Sequence, residues 1–178
     1  MPDYRRSRVS GGCYFFTVNL LERYPNDLLI RHIDDLRDAV SHVRRQRPFD
    51  IHGWVVLPDH IHCIWSLPAG DLNFETRWRL IKTLFVKALP TLERRSIVRV
   101  RRGERGIWQR RYWEHTIMDD RDFAAHMNYL HFNPVKHGYV DRVRDWPYST
   151  FLRCAEKGIY PLDWGGGHKD EIDAGERG

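Results

Sequence analysis

The stretch Leu57-Pro58-Asp59-His60-Ile61-His62-Cys63-Ile64-Trp65 constrains this chain more than any other. It follows the apolar run Trp54-Val55-Val56-Leu57, and Pro58-Asp59 between two such runs reads as a tight turn. The sequence therefore predicts a β-hairpin with strands over residues 49–57 and 60–67. Alternate residues of a strand share a face, so His60 and His62 present both imidazoles to one side. Two readings stay open at this point: a pair of metal ligands, or two hydrogen-bonded polar residues on a half-buried strand.

The rest of the chain supplies what such a hairpin needs to be buried. Behind Gly11-Gly12, the run Tyr14-Phe15-Phe16-Thr17-Val18-Asn19-Leu20 is β-branched and aromatic and predicts a first strand. Leu29, Ile33, Leu36, Val40 and Val43 recur at helical spacing, predicting a helix over 27–47 that Pro48 stops. A second apolar stripe, Phe74, Trp78, Ile81, Phe85 and Ala88, ends at Pro90, and the later part of 106–117 reads as a strand. Asp119-Asp120 caps a third helix that runs to about residue 133, where Pro134 ends it. A turn at Trp146-Pro147-Tyr148-Ser149 and a short helix over 150–157 follow. This order fits an α+β, ferredoxin-like fold, an antiparallel sheet with helices on one face. A length of 178 residues, 42% of them hydrophobic, suffices for one domain over 1–160, with 161–178 expected as a flexible polar tail.

Composition narrows the partners. Cys13, Cys63 and Cys154 are odd in number and far apart, so neither a disulfide framework nor a zinc knuckle is indicated and a reducing cytoplasm is expected. No leader-like or membrane-spanning apolar run occurs. The net charge of +5 is unevenly placed. Arg94, Arg95, Arg99, Arg101, Arg102, Arg105, Arg110 and Arg111 face one acid, Glu104, which puts +7 in residues 94–111 and −2 in the remainder. Guanidinium pairs bidentately with phosphate, so this segment points to nucleic acid, against the alternative of a solvated basic loop. Trp108, Tyr112 and Trp113 are interleaved with these arginines. They are suited either to stacking on unpaired bases or to packing on the core.

The third helix adds chemistry. At about 100° per residue, Asp122, His126, Tyr129 and Asn133 fall within roughly 60° of one another. Asn133 lies one turn beyond Tyr129, where its amide oxygen could complete a His60, His62, Asn133 metal site. A divalent cation there polarises a phosphate while the tyrosine attacks phosphorus. The alternative for Tyr129 is a packed ring with a hydrated hydroxyl.

At these residues the chain resembles a known family. Leu57-Pro58-Asp59-His60-Ile61-His62 is similar to the His-hydrophobic-His motif of HUH single-strand endonucleases. Tyr129-Leu130-His131-Phe132-Asn133-Pro134-Val135-Lys136-His137-Gly138-Tyr139-Val140 resembles the tyrosine motif of the REP-associated tyrosine transposases, with Gly11–Leu20 and Trp146–Thr150 similar to the flanking segments. The resemblance implies the HUH endonuclease fold and a Mg2+ or Mn2+ cofactor. It also implies nicking of single-stranded DNA near repetitive extragenic palindrome (REP) hairpins through a covalent 5′-phosphotyrosine. In it Tyr129 is the nucleophile and His60, His62 and Asn133 hold the metal. Insertion-sequence relatives usually carry glutamine where this chain has the shorter Asn133. The resemblance further implies a bacterial, nucleoid-associated protein of the cytoplasm and a monomer, with the dimer of the insertion-sequence relatives, which exchange the tyrosine helix, as the alternative. Two other readings are a metal-dependent hydrolase using His60 and His62, and a non-catalytic regulator that binds hairpin DNA.

Overall fold

A computed structural model describes residues 9–91, 97–103 and 105–165, with the side chain of Arg99 also outside the described part. Four strands form one antiparallel sheet in the order β2-β3-β1-β4: β1 Cys13–Asn19, β2 Asp50–Val56, β3 His60–Ser66 and β4 Trp113–Thr116. The helices are α1 Leu28–Arg31, α2 Ile33–Gln46, α3 Phe74–Ala88, α4 Ile97–Arg101, α5 Asp120–Lys136 and α6 Phe151–Glu156, with a 3-10 turn at Val143–Asp145. This is the ferredoxin-like arrangement expected, with the predicted hairpin as β2 and β3.

The sheet is covered on both faces, which corrects the expectation of helices on one. Tyr14, Phe16 and Val18 of β1 join Cys63 and Trp65 of β3 in a cluster with Leu36, Val43, Phe74, Trp78 and Phe85 of α2 and α3. Phe15, Val55 and Ile64 point the other way and pack with Met127 and Leu130 of α5 and Phe151 of α6. The cause is in the strands themselves. Tyr14-Phe15-Phe16 and Cys63-Ile64-Trp65 are apolar at consecutive positions, and a strand apolar on both sides demands cover on both. The two central strands therefore lie between helix layers, with the site on the α5 side.

Three other differences have physical causes. The helix expected over 27–47 is divided at His32, whose backbone leaves the helical region (φ −112°, ψ 36°). The apolar stripe continues across the break, so periodicity alone does not reveal it. Pro134 does not end α5, which runs one turn further to Lys136. Proline lacks only its own N–H, and the N–H groups of His137 and Tyr139 still reach the carbonyls of Asn133 and Pro134. The helix ends instead at Gly138, whose φ of +72° suits glycine. Finally, the arginine-rich segment includes the short helix α4.

Trp164, from the stretch expected as tail, packs on Tyr160 (ring centroids 4.8 Å apart) and stacks on Phe151, while residues 166–178 lie outside the described part. The cysteines are free thiols, and among the described residues no helix is long and apolar enough to cross a membrane.

Candidate active site

The register of β3 against β1 sets the histidine pair. His60 lies opposite Asn19 and His62 opposite Thr17, on the face that α5 covers, and both imidazoles are buried. Their rings meet edge to face with centroids 4.8 Å apart. Each Nδ1 is held by a neighbouring oxygen: His60 by Asp59 Oδ1 at 2.7 Å, His62 by Thr17 Oγ1 at 2.9 Å. The turn is closed by the Leu57 N–H donating to the His60 carbonyl, which brings Asp59 back onto His60. Arg23 Nε donates to the other carboxylate oxygen of Asp59 at 2.7 Å. Burial by itself would push this carboxyl up, but the hydrogen bonds and charges of His60 and Arg23 outweigh it and bring its pKa down to about 2. Asp59 is therefore an anion that fixes one histidine of the pair.

Helix α5 starts at an Asp119 cap, whose side chain accepts the Asp122 N–H, and packs across β2 and β3. Gly53 of β2 permits the close approach, since a Cβ there would stand 2.7 Å from Met127 Sδ and 3.0 Å from Leu130 Cδ2. Half-buried Tyr129 is thereby set against the pair, with its ring centroid 5.4 Å from that of His62 and 6.1 Å from that of Phe15. Lys136, two turns on, donates from Nζ to the Tyr129 hydroxyl at 3.1 Å and lies 4.7 Å from the ring centre. The ring of His137 stands 5.4 Å from that of His60, and Asn133 is fully buried on the same helix.

The structure thus brings His60, His62 and Tyr129 together and adds Asp59, Thr17 and Lys136, which sequence reasoning missed. The signal for Lys136 was its spacing of seven from Tyr129. It was hidden by reading Pro134 as the end of the helix.

The expected DNA-binding residues divide. Arg94, Arg95 and the side chain of Arg99 lie outside the described residues, while Arg101, Arg102, Arg110 and Arg111 are exposed. Arg105 turns inward, and its guanidinium donates to the carbonyls of Val86, Leu89 (3.0 Å) and Pro90 (2.6 Å) at the C-terminal end of α3. Trp108 packs on Phe85 with centroids 5.4 Å apart and Tyr112 on Phe16 at 5.9 Å. Lys82 Nζ lies 5.8 Å and 5.2 Å from these two rings. Trp113, on β4, packs against the core of the α5 side. All three aromatics are half-buried.

A second polar cluster lies on the same sheet face. His115 of β4 pairs through Nε2 with Asp122 Oδ2 at 2.8 Å, and Asp122 Oδ1 lies 2.9 Å from Nδ1 of buried His126. That nitrogen is also 2.9 Å from the Asp122 carbonyl oxygen. The two imidazoles stack with centroids 4.5 Å apart. Burial lowers the His126 pKa. For Asp122, burial works upward but is outweighed by the hydrogen bonds from His115 and the Met118 N–H and by nearby imidazole charge, leaving it below the ordinary carboxylate value. The polar stripe read from the sequence is therefore shared: Asp122 and His126 belong to this cluster, and Tyr129 belongs to the His60–His62 pair.

No protein-family model matches the chain. Among known proteins, it is 48% identical over 177 residues to the REP-associated tyrosine transposase of Escherichia coli strain K12, covering 99% of this chain and 98% of that one. A relative from Haemophilus influenzae is 46% identical over 167 residues, covering 93% and 94% of the two chains. A solved structure of a REP-associated tyrosine transposase bound to a REP hairpin superimposes with a TM-score of 0.84 at 46% identity, over 99% of this chain and 98% of that one.

Proposed function

The chain belongs to the REP-associated tyrosine transposases, and from that membership we propose that it nicks single-stranded DNA beside REP hairpins through a covalent 5′-phosphotyrosine on Tyr129. The observation that carries this reading is the Tyr129 ring set 5.4 Å from that of His62, with an ammonium on its hydroxyl. The phenol oxygen attacks phosphorus. An Oη–P bond forms, the P–O3′ bond breaks, and the 3′ oxygen leaves as a hydroxyl, taking up a proton as the phenol loses one. Lys136 supports the phenolate by its hydrogen bond. Attack by a 3′ hydroxyl on the phosphotyrosine reverses the step, so the phosphodiester energy is kept for religation.

The donor set fits a divalent metal. A metal-binding imidazole is ordinarily oriented by a hydrogen bond through its other nitrogen, which is how Asp59 and Thr17 hold His60 and His62 by Nδ1. These two histidines and Asn133 would hold Mg2+ or Mn2+. Bound there, the cation supplies polarisation of the scissile phosphate and charge neutralisation at the leaving oxygen. Phosphate contacts along the strand fall to exposed Arg101, Arg102, Arg110 and Arg111. Trp108 and Tyr112 offer their outer ring surfaces to a base.

Tyr129→Phe removes only the attacking oxygen. It should abolish nicking and the trapped protein–DNA adduct while hairpin affinity is kept, and a Phe variant that still nicks at near wild-type rate would overturn the mechanism. Chelation, His60→Ala or His62→Ala should each stop nicking with the chain still folded. Full activity in excess chelator would remove the metal from the reading.

A further inference from the structure

We propose that His115, Asp122 and His126 form a second metal site, for a transition ion of the Zn2+ class, which clamps the start of the tyrosine helix to β4. One ligand atom from each residue lies within 4.8 Å of the others, so small side-chain rotations would bring all three onto one ion. Zn2+ takes imidazole nitrogen and carboxylate oxygen at about 2.0–2.2 Å. Two elements contribute: His115 comes from β4, and Asp122 and His126 stand four residues apart on α5. Among the described residues, the Asp122 carboxylate pairs only with these two imidazoles and the Met118 N–H, with no arginine or lysine to replace an ion.

Ligand chemistry separates this site from the His60–His62 pair. Two nitrogens and an anionic oxygen favour Zn2+, Co2+ or Ni2+ over Mg2+, whereas a neutral amide oxygen in place of the carboxylate gives the other site less charge. Burial is graded across the cluster. His126 is 3% exposed beside Phe15, while the His115 side chain is 36% exposed, so the open positions of the ion would face solvent on the His115 side. The function is positional. The Phe15 ring touches those of His126 (4.8 Å), His62 (5.7 Å) and Tyr129 (6.1 Å), and Tyr129 follows His126 by one turn. An ion tying α5 to β4 fixes the helix just ahead of the residue that must meet the histidine pair.

The test uses the full chain, stripped with chelator and then titrated with Co2+, whose visible absorption reports nitrogen and oxygen ligation. The His60→Ala/His62→Ala variant, which lacks the other pair, should still bind one equivalent of Co2+. Zn2+ should displace the Co2+ and raise the thermal midpoint of that variant by several degrees. Adding His115→Ala, at a half-exposed position, should abolish both effects. Loss of a direct ligand should weaken affinity by more than the ~10- to 100-fold cost of losing an outer hydrogen-bonding partner. In the otherwise wild-type chain, His115→Ala should lower Co2+ stoichiometry by one equivalent, which keeps the test open if the triple variant fails to fold. No Co2+ bound by the His60→Ala/His62→Ala variant, or unchanged binding after His115→Ala, would show a hydrogen-bonded triad only and overturn the proposal. The proposed nicking reaction is tested separately by activity, so either reading can fail alone.

Discussion

His131 tests how the tyrosine helix is held. It sits two residues after Tyr129, fully buried between α5 and α6, with Nε2 3.0 Å from Thr150 Oγ1, and that hydroxyl oxygen accepts the Trp54 N–H at 2.9 Å. Burial chiefly, helped by the Arg153 charge and opposed by the Met127 carbonyl, lowers its pKa from 6.5 to about 3. The unfolded chain takes up this proton near its ordinary value while the folded chain refuses it. Stability is therefore untouched above pH 6.5 and falls as pH drops from 6.5 toward 3. Each pH unit removes about 1.4 kcal/mol, so the loss reaches about 3 kcal/mol at about pH 4.5 and ~5 kcal/mol over the full span. That is comparable with the whole stability of a modest domain, about 5–15 kcal/mol. His131→Gln can still hydrogen-bond Thr150 but carries no titrating group. It should cost about 1–2 kcal/mol at neutral pH through imperfect packing, then lose stability more slowly than wild type on acidification. The assay is guanidinium unfolding of both proteins across a pH series. Parallel stability–pH curves would refute the reasoning, because the difference between the two isolates this group from the other buried histidines.

Lys136→Met should slow single-turnover nicking about tenfold, equivalent to ~1.4 kcal/mol of barrier, with unchanged hairpin affinity and partial recovery in Lys136→Arg. An unaltered rate would separate the ammonium from the chemistry. Gly53→Ala places a methyl 2.7 Å from Met127 Sδ; because that sulfur is the movable end of a side chain, the cost should be about 1–2 kcal/mol, read by chemical unfolding. Arg105→Ala should lower stability by about 1 kcal/mol by uncapping α3 and leave the salt dependence of DNA binding alone. Arg101→Ala with Arg102→Ala should flatten that dependence by a slope of about 0.7 per lost phosphate contact. A flattened slope in the Arg105 variant would reverse the division between structural and DNA-contacting arginines.

The parts of the fold legible in the sequence are those written in period and punctuation. The hairpin at Pro58-Asp59, the α3 stripe ended before Pro90 and the Asp119 cap all depend on local chemistry, and all appear where the residues predict them. The facing of His60 and His62 was equally legible, because strand alternation fixes it. What the sequence did not disclose depends on distant partners. Whether Trp108 packs on Phe85 or stands clear of the core is decided by α3, more than twenty residues away, and no pattern within 105–112 carries that information. Arg105 reads as one more arginine in a basic run until the carbonyls at the end of α3 appear beside it. His115 differs, since its partners Asp122 and His126 are close in sequence, but the turn between β4 and α5 that brings them together is not written in the period of either element.

The two faces of the sheet divide stability from chemistry. On the α2–α3 side, Phe16, Trp65, Trp78 and Phe74 interlock with centroid separations of 4.7–5.5 Å, the kind of aromatic packing that contributes beyond its buried area. On the α5 side the buried residues include Thr17, Asn19, Asp59, His60, His62, His126, His131 and Asn133. Burying polar groups costs free energy unless each is well bonded, so a sheet polar on both faces would fold poorly. Concentrating the aromatic core on one face lets the other carry imidazole, carboxylate and amide groups in low-dielectric surroundings, where buried Asp59 acts more strongly than it would in water. Cavity-forming changes such as Trp78→Ala should then lower stability while the folded fraction keeps its nicking rate. Changes on the α5 face should alter the rate even where stability is preserved.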